Sequence, residues 1–388
     1  MKRVLMFDAI RTQGGSKIAN AEILKQCDNK DVVSYIATTQ PDHWKSIINN
    51  ESRIHIIQLK QAPLMSDHGL TYWLINIFYM IQLLIISLKL PKLDWLIGLS
   101  CPSNDMPLYL LRLLIKKSVV QIIHGPVPSA RSSGYCLVKA SAIFYLASTK
   151  ESLLKALQAY LKVSPSAAER YWAMLETSTF TNGLSPEKWP KQANTISKRV
   201  FWAASLFKWK NLDLLIEAIS LEVDSKIEAT VCYLKPTVET ASEPDFSIKQ
   251  IEWHEDPSNL NQLRAQCGIF VSTSINEPFG LSILEALAAG MCVVVPCDDS
   301  YWDRVLTHGK NCIKYTPNDV VSLHNAIHLL NEAPWLKVTM GIEALSIAQL
   351  YTAERCYFLI VDYLHSNRSE VDKADINSVD KIKGYDHV

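Results

Sequence analysis

Short apolar runs alternate with longer helical stretches along this chain, and the alternation starts twice. In the first half, strands are predicted near 3–8, 33–38, 53–58, 94–98, 119–123 and 142–147, with helices near 16–27, 70–89, 104–117 and 149–161. After a polar stretch at 185–199, strands recur near 200–204, 229–233, 249–253, 268–271 and 291–296, with helices near 211–220, 258–265, 280–289, 317–331 and 338–349. Strands that alternate with helices pair in parallel, so the sequence predicts an α/β fold with two Rossmann-like domains.

The polar stretch is expected to link the two domains, because it contains two prolines and several lysines. We therefore predict an N-terminal domain at 1–185 and a C-terminal domain at 186–350. A last helix at 351–366 and a polar, charged, disordered tail at 367–388 complete the predicted organisation. With 388 residues, of which 48% are hydrophobic, the chain can bury two cores of ordinary domain size.

Composition argues against several classes of protein. Lysine and arginine together number 39, as do aspartate and glutamate, so no overall field draws the chain to nucleic acid. Nine cysteines are scattered without a Cys-x-x-Cys pair, which predicts reduced thiols in a cytoplasmic protein and no zinc site. The first ten residues, MKRVLMFDAI, have too short an apolar run for a signal peptide. No G-x-G-x-x-G sequence occurs, which argues against a nicotinamide-dependent dehydrogenase.

The segment 69–88 carries no charged residue and is long enough to cross a bilayer. Asn76, Gln82 and Ser87 argue against a crossing, so a buried helix is the preferred interpretation. A helix that lies partly inserted in the membrane interface is the alternative, with peripheral contact at the inner face of the cytoplasmic membrane. Four lysines near predicted helix ends in the same domain would either touch anionic headgroups or complement helix dipoles: Lys89, Lys92, Lys116 and Lys117.

The run 271–290, VSTSINEPFGLSILEALAAG, places Glu277 and Glu285 eight positions apart. The apolar stretch before it is a predicted strand, and a helix is predicted to begin near Gly280 because apolar residues then recur with helical spacing. Glu277 therefore lies in a loop and Glu285 in a helix. The peptide N–H groups of Phe279, Gly280 and Leu281 have no earlier helical carbonyl to bond. Together with the helix dipole they predict an anion site, which a diphosphate would fit.

Residue by residue, this run resembles the E-x7-E motif of retaining glycosyltransferases of family 4, in Glu-Pro-Phe-Gly-Leu at 277–281 and Leu-Glu-Ala-Leu-Ala-Ala-Gly at 284–290. The resemblance implies the GT-B fold, in which two Rossmann-like domains face each other across a cleft and a C-terminal helix returns to the N-terminal domain. It also implies that Glu277 is catalytic and contacts the donor sugar, and that Glu285 binds the ribose. Further donor-binding positions follow from the same motif: Pro278, Phe279, Gly280 and Leu281.

Two positions of the predicted N-terminal domain extend the resemblance. Gly14 and Gly15 follow the first strand, where paired glycines let the main chain approach a ligand closely, and they are similar to the Gly-Gly loop that faces the donor in family 4. A plain tight turn is the alternative. His124 follows the strand at 119–123 and precedes Gly-Pro, which matches the family's catalytic histidine against the donor sugar. A structural histidine is the alternative.

The start of the predicted C-terminal domain carries one match and one departure. Lys210 matches the catalytic lysine that contacts the donor diphosphate in the family. Ser205 occupies the donor-binding position where the family has an arginine, and a hydroxyl cannot provide the charge or the forked donors of a guanidinium. Lys208 is a candidate for the missing charge, although a solvent-facing lysine is the simpler interpretation.

The implied activity is transfer of a hexose from a nucleotide diphosphate sugar, with retention of configuration, to a lipid-linked or growing polysaccharide acceptor. Surface polysaccharides such as lipopolysaccharide O-antigen or capsule are the expected products. The family requires no metal and no other cofactor. Two alternatives stay open: a GT-B sugar-nucleotide isomerase or hydrolase, and a sugar-nucleotide-binding subunit that has lost turnover through Ser205.

Overall fold

The computed structural model describes residues 1–11, 14–48, 51–63, 68–221, 227–236 and 241–366, so the predicted tail at 367–388 lies outside the described residues. Two compact units make up the chain. The first contains 1–11, 16–181 and the C-terminal segment from Cys356, and the second contains Gly14, Gly15 and 182–355. Each unit is built around its own parallel sheet.

The first unit holds a sheet of seven parallel strands in the order β3-β2-β1-β4-β5-β6-β7. The strands are β1 Lys2–Asp8, β2 Val32–Thr38, β3 Ile54–Gln58, β4 Trp95–Gly98, β5 Ser118–Ile123, β6 Ala142–Leu146 and β7 Thr177–Phe180. The helices are α1 Gly15–Asp28, α2 Pro41–Ile47, α3 Gly69–Lys89, α4 Met106–Ile115, α5 Arg131–Lys139, α6 Lys150–Leu161 and α7 Pro165–Trp172. This Rossmann order reverses between β1 and β4, where ligands of such sheets bind beyond the carboxyl ends of the strands.

The second unit repeats the arrangement with six parallel strands in the order β10-β9-β8-β11-β12-β13. The strands are β8 Val200–Ser205, β9 Ala229–Leu234, β10 Ile251–Glu255, β11 Ile269–Val271, β12 Cys292–Pro296 and β13 Cys312–Tyr315. Its helices are α8 Leu212–Ser220, α9 Leu260–Ala265, α10 Leu281–Ala288, α11 Tyr301–Val305, α12 Val320–Glu332 and α13 Pro334–Ala348. The strand order reverses between β8 and β11. The predicted α/β fold with two Rossmann-like domains is confirmed.

The inner strands are mostly apolar because helices cover both sheet faces. Every residue of β6 in the first sheet and of β12 in the second is buried, and their side chains join the cores of their units. This continuous burial explains why the strands could be predicted from short apolar runs. All nine cysteines are free, and burial raises the pKa of the Cys267 thiol to about 11.

The last helix, α14 Ala353–His365, packs on the first unit. The Tyr363 ring lies 5.3 Å from Trp95 and 5.6 Å from Phe144, measured between ring centroids. Tyr357 is fully buried, and its ring is 6.2 Å from that of Phe180. Aromatic contacts therefore fix this helix against strands β4, β6 and β7.

The burial of helix α3 differs from the prediction. Its buried side chains are confined to Tyr72, Asn76, Tyr79 and Leu83, which recur every three or four residues on one face. The opposite face exposes large apolar side chains, so the prediction of a buried helix is wrong for that half of its surface. An uncharged run is compatible with burial or exposure of either face, and the sequence does not distinguish the two.

Candidate functional site

The second sheet brings the Lys210 and Glu277 loops together at its reversal of strand order. One loop leaves β8 at Ser205 and forms a single 3₁₀ turn at Lys208–Lys210, and the other leaves β11 at Val271. These strands are paired neighbours in the sheet, so their carboxyl ends lie side by side. Ligands of Rossmann-like sheets bind at this position.

Lys210 and Glu277 form an ion pair in which the Lys210 ammonium donates to Glu277 Oε2. Their side chains are only 13% and 11% exposed, so water screens the pair weakly. The Lys210 Nζ also lies 4.0 Å from the centroid of the Trp209 ring, a cation–π contact. A cation and a carboxylate are thus held in one small, mostly dry region.

A chain of hydrogen bonds fixes the backbone beneath the ion pair. Thr273 Oγ1 donates to the Lys210 carbonyl at 2.7 Å and accepts from the Trp202 indole N–H at 2.9 Å. The Ile275 N–H donates to the Trp209 carbonyl at 2.8 Å. Because Trp202 is a buried core residue of β8, these bonds tie both loops to the sheet.

The helix α10 begins directly after the Glu277 loop, with Gly280 as its N-cap residue at φ +79°. Glycine adopts this left-handed backbone more readily than residues with a Cβ. Among the described residues, no protein acceptor pairs with the N–H groups of Phe279, Gly280 or Leu281. These donors and the positive end of the helix dipole can bind an anion.

The Phe279 side chain anchors this turn in the protein interior. Its ring is 2% exposed and lies 4.9 Å from Tyr301, 5.3 Å from Trp302 and 6.1 Å from Tyr351. The Trp302 indole N–H also donates to the Gly280 carbonyl at 3.3 Å. Phe279 can therefore offer a ligand its main-chain N–H, while its ring holds the turn in place.

Glu285 has a partner that sequence reasoning missed. The Arg264 guanidinium, on α9, donates to Glu285 Oε2 and also to Asn261 Oδ1. The Arg264 side chain is 1% exposed, lies against the Phe201 ring, and keeps its buried Nε without a partner among the described residues. This arginine fixes one carboxylate oxygen of Glu285, and the Glu285 side chain remains 18% exposed for a further contact.

Ser205 is the last residue of β8 and is partly buried. The Lys208 ammonium lies 3.0 Å from Asp213 Oδ2, and both side chains are largely exposed. Lys208 is therefore engaged in a surface ion pair, in keeping with its simpler interpretation as a solvent-facing lysine.

His124 lies in the first unit, immediately after β5. Its Nε2 is 2.7 Å from Asn20 Oδ1, and Asn20 Nδ2 donates to the Leu99 carbonyl at 3.0 Å. Because the amide nitrogen of Asn20 is committed to Leu99, its oxygen must accept, so His124 Nε2 carries the proton. The ring also meets the Phe180 ring edge to face at 5.2 Å.

A second group of buried polar side chains surrounds the same end of the first sheet. Asp8, at the end of β1, lies 3.2 Å from the Lys17 ammonium and accepts from the Trp44 indole at 2.7 Å. Asp105 accepts from Gln121 Nε2 at 2.7 Å. Burial raises the pKa of the Asp105 carboxyl to about 8, although the Gln121 hydrogen bond lowers it. Its Oδ1 has no partner among the described residues.

Gly14 and Gly15 follow β1, and Gly15 opens α1. No described atom lies within 4 Å of the position that a Cβ on Gly14 would occupy, so the main chain is open there. Across the described ranges, no group of three or more His, Cys, Asp or Glu side chains is arranged to hold a metal ion.

Several residues of these sites escaped prediction. Arg264 is an ordinary arginine in a short helix, and its pairing with a residue 21 positions later depends on tertiary structure. Asn20 and Asp105 are single polar residues in helical stretches. Only their positions near the carboxyl ends of strands could have indicated a role.

Residues 186–344 match the family model described as Glycosyl transferases group 1. Solved structures resemble the chain over almost its whole length. HepE from Anabaena, in complex with UDP-glucose, has a TM-score of 0.72 and 16% identity and covers 94% of this chain and 99% of its own. The lipopolysaccharide outer core galactosyltransferase WaaB has a TM-score of 0.59 and 13% identity, with coverage of 93% and 98%.

A third similar structure is a mutant of TarM from S. aureus, in complex with Fondaparinux, alpha-GlcNAc-glycerol and UDP. It has a TM-score of 0.67 and 13% identity and covers 93% of this chain and 99% of its own. No curated protein sequence matches the chain. At these identities the likeness establishes the fold, and the predicted GT-B fold is confirmed.

Proposed function

We propose that this protein is a retaining glycosyltransferase of family 4 that moves a hexose from a nucleotide diphosphate sugar to a lipid-linked or polysaccharide acceptor. Its place of action would be the cytoplasmic side of the membrane, in the synthesis of a surface polysaccharide. Support for a nucleotide sugar comes from the family model over 186–344 and from the similar fold of HepE, which was solved with UDP-glucose. WaaB, a lipopolysaccharide galactosyltransferase of the same fold, supports the kind of acceptor.

The observation that carries the proposal is the Lys210–Glu277 ion pair directly beside the open N-terminus of α10. A diphosphate needs a cation and N–H donors, and a sugar needs a carboxylate to accept from its hydroxyl groups. The second sheet brings all three to the reversal of its strand order. Glu285, held by Arg264, extends the site by one further carboxylate for a ribose hydroxyl.

The proposed reaction breaks the bond between the anomeric carbon and the diphosphate oxygen and forms a bond from that carbon to an acceptor hydroxyl oxygen on the same face. The acceptor proton passes to the leaving diphosphate, so no protein base is needed. Charge builds on the diphosphate as the bond breaks. Lys210 and the N–H groups of Gly280 and Leu281 stabilise that charge from fixed positions, and such preorganised donors commonly contribute more to enzymatic catalysis than any other single effect.

In this proposal the ion pair opens when the donor binds. The diphosphate takes over the Lys210 ammonium, and hydroxyl groups of the sugar donate to Glu277. Because both side chains are already held in place by the protein, little ordering is needed at that step. His124, which follows β5 in the first unit, is proposed to contact the donor sugar because it matches the histidine of family 4.

One assay tests the proposal. The purified chain is incubated with UDP-, GDP- and dTDP-sugars, with and without a lipid extract from bacterial membranes, and nucleotide release and sugar products are measured. Release that depends on the extract supports transfer. Release without extract would instead identify a hydrolase, conversion of the sugar without release an isomerase, and binding alone a subunit without turnover.

The stereochemistry needs its own measurement. Proton NMR of the isolated product, compared with the α-linked or β-linked donor, gives the anomeric configuration of the new bond. The same configuration in donor and product supports retention, and the opposite configuration would remove the family 4 assignment while leaving transfer intact.

A further inference from the structure

The exposed face of α3 forms a continuous apolar stripe. Its members recur at intervals of one, three or four residues and so lie on one side of the helix. They are Leu70, Trp73, Leu74, Ile77, Ile81, Ile85 and Leu88, with exposed fractions from 41% to 76%. Leu113 and Leu114 of the neighbouring helix α4 are exposed as well, at 63% and 56%. Apolar patches of this extent are uncommon on surfaces that face only water.

The helix cannot leave the domain to cross a membrane. It connects β3 to β4, and both strands pair within the same sheet. Its inner face is held by the core, and the Tyr72 hydroxyl donates to the Ser103 carbonyl at 2.7 Å. Among the described residues α3 is the one helix long and apolar enough for a span, but its position in the sheet leaves only its outer face available.

The charged residues within the two helical segments have one sign. The segments 69–93 and 106–117, which contain α3 and α4, include no aspartate or glutamate. They contain five basic residues: Lys89, Lys92, Arg112, Lys116 and Lys117. The four lysines lie at or just beyond the C-terminal ends of the two helices. The C-terminal ends of α3 and α4 are therefore positively charged, although the net charge of the chain is zero.

We propose that the outer face of α3, with the exposed leucines of α4, docks on an anionic lipid bilayer and lies in the plane of its interface. The apolar stripe enters the boundary between headgroups and acyl chains, and the lysines contact anionic headgroups. Charge complementarity favours this occupant over a second copy of the chain, because the matching segments of a second copy contain no aspartate or glutamate to pair with these lysines. The inference deepens the membrane location of the proposed function and rests on that proposal.

The test measures binding of the full chain to sedimented lipid vesicles. One set contains about one third phosphatidylglycerol, and the other contains phosphatidylcholine alone. The wild-type chain should bind the first set, bind the second weakly, and dissociate as salt rises. The change Ile77→Gln with Ile81→Gln should lower the partition coefficient by about 10², or roughly tenfold for each isoleucine withdrawn from the interface.

A matched control is available on α13, where Val338 and Ile342 are exposed at the same spacing of four residues. Changing both to glutamine should leave vesicle binding within about twofold of wild type, as expected for a site outside the interface. Equal losses in the two double variants would overturn the proposal, because binding would then follow general surface hydrophobicity.

A charge series keeps the test independent of the apolar variants. The change of Lys89, Lys92 and Lys116 to glutamine should cost about fivefold per lysine, on the order of 10² in all, and remove the preference for anionic vesicles. The matched control changes three exposed lysines outside α3 and α4, Lys30, Lys150 and Lys162, and should keep that preference. Loss of the preference in the control alone would contradict the assigned surface.

Two further outcomes would overturn the proposal. A wild-type chain that stays in solution with both vesicle sets has no membrane-docking face. A dimer in ultracentrifugation that dissociates in the Ile77→Gln, Ile81→Gln variant, with vesicle binding unchanged, would assign the stripe to self-association. Neither measurement uses a nucleotide sugar, so failure here and failure of the transferase proposal are distinguishable.

Discussion

Replacing Glu277 by glutamine tests the proposed site most directly, because the side chain keeps its size and loses its charge. In the structure the carboxylate is 11% exposed and pairs with Lys210, whose side chain is 13% exposed. If this carboxylate contacts the sugar in the transition state, its removal should lower kcat by about 10²-fold to 10³-fold, the usual effect of losing one preorganised polar contact.

The same substitution should also affect stability. Breaking a fully buried ion pair costs about 3–5 kcal/mol because the remaining charge has no partner. Exposed pairs contribute about 0–1 kcal/mol. Since the Lys210–Glu277 pair is partly exposed, the free energy of unfolding of Glu277→Gln should fall by an intermediate amount, about 1–3 kcal/mol.

The assay is donor turnover at saturating substrate, together with urea unfolding of the unliganded protein. Glu332→Gln provides the control, since Glu332 pairs with Lys198 at 3.7 Å and both side chains are at least 60% exposed. This control should keep wild-type turnover and change the free energy of unfolding by less than about 0.5 kcal/mol. Turnover of Glu277→Gln within about threefold of wild type would show that the carboxylate has no part in the transition state.

Three further outcomes are expected. Gly280→Ala should lower stability and raise the donor KM, because a Cβ there would lie 3.0 Å from the Glu277 side chain. Gly309 also has a positive φ, with open space around it, so the control Gly309→Ala should lower only the stability, by about 1–2 kcal/mol. Asp105→Asn should flatten the pH dependence of the free energy of unfolding in urea. Because the pKa of the wild-type carboxyl is raised to about 8, this group contributes fully to stability at low pH and loses its contribution as pH rises from about 4 through 8. An equal slope in both proteins would contradict this assignment. Ser205→Arg should lower the nucleotide Kd measured by calorimetry, up to about tenfold for one charge-assisted hydrogen bond, and an unchanged Kd would show that this position does not reach the diphosphate.

Much of the architecture could be predicted because strands buried on both faces are largely apolar, as in β6 and β12. The helix α5 was missed, and its Gly134 explains why. A Cβ at Gly134 would lie 2.2 Å from the Ala156 carbonyl oxygen, so close packing of α5 against α6 requires the glycine. Gly134 lowers the helix propensity of this segment, and the reason for its presence is a tertiary contact that the sequence does not show. Five-residue α11 and four-residue β13 are too short for a periodic signal.

The candidate site was predictable where its residues are close in sequence. The run from Glu277 to Glu285 contains a loop, a capping glycine and a helix start, each with its own local signal. Contacts between distant segments gave no such signal. Thr273 beneath Lys210, and Arg264 beside Glu285, act through positions that only the folded sheet brings together.

The ion pair between Lys210 and Glu277 has a consequence for discrimination among ligands. A free phosphate or a bare nucleotide can satisfy the lysine, but it leaves the carboxylate without a hydrogen-bond donor. An intact sugar nucleotide satisfies both groups at once. On the proposed chemistry, Glu277 therefore competes with the product nucleotide for the Lys210 ammonium. When the two side chains pair again, the nucleotide is released and the empty site has no net charge.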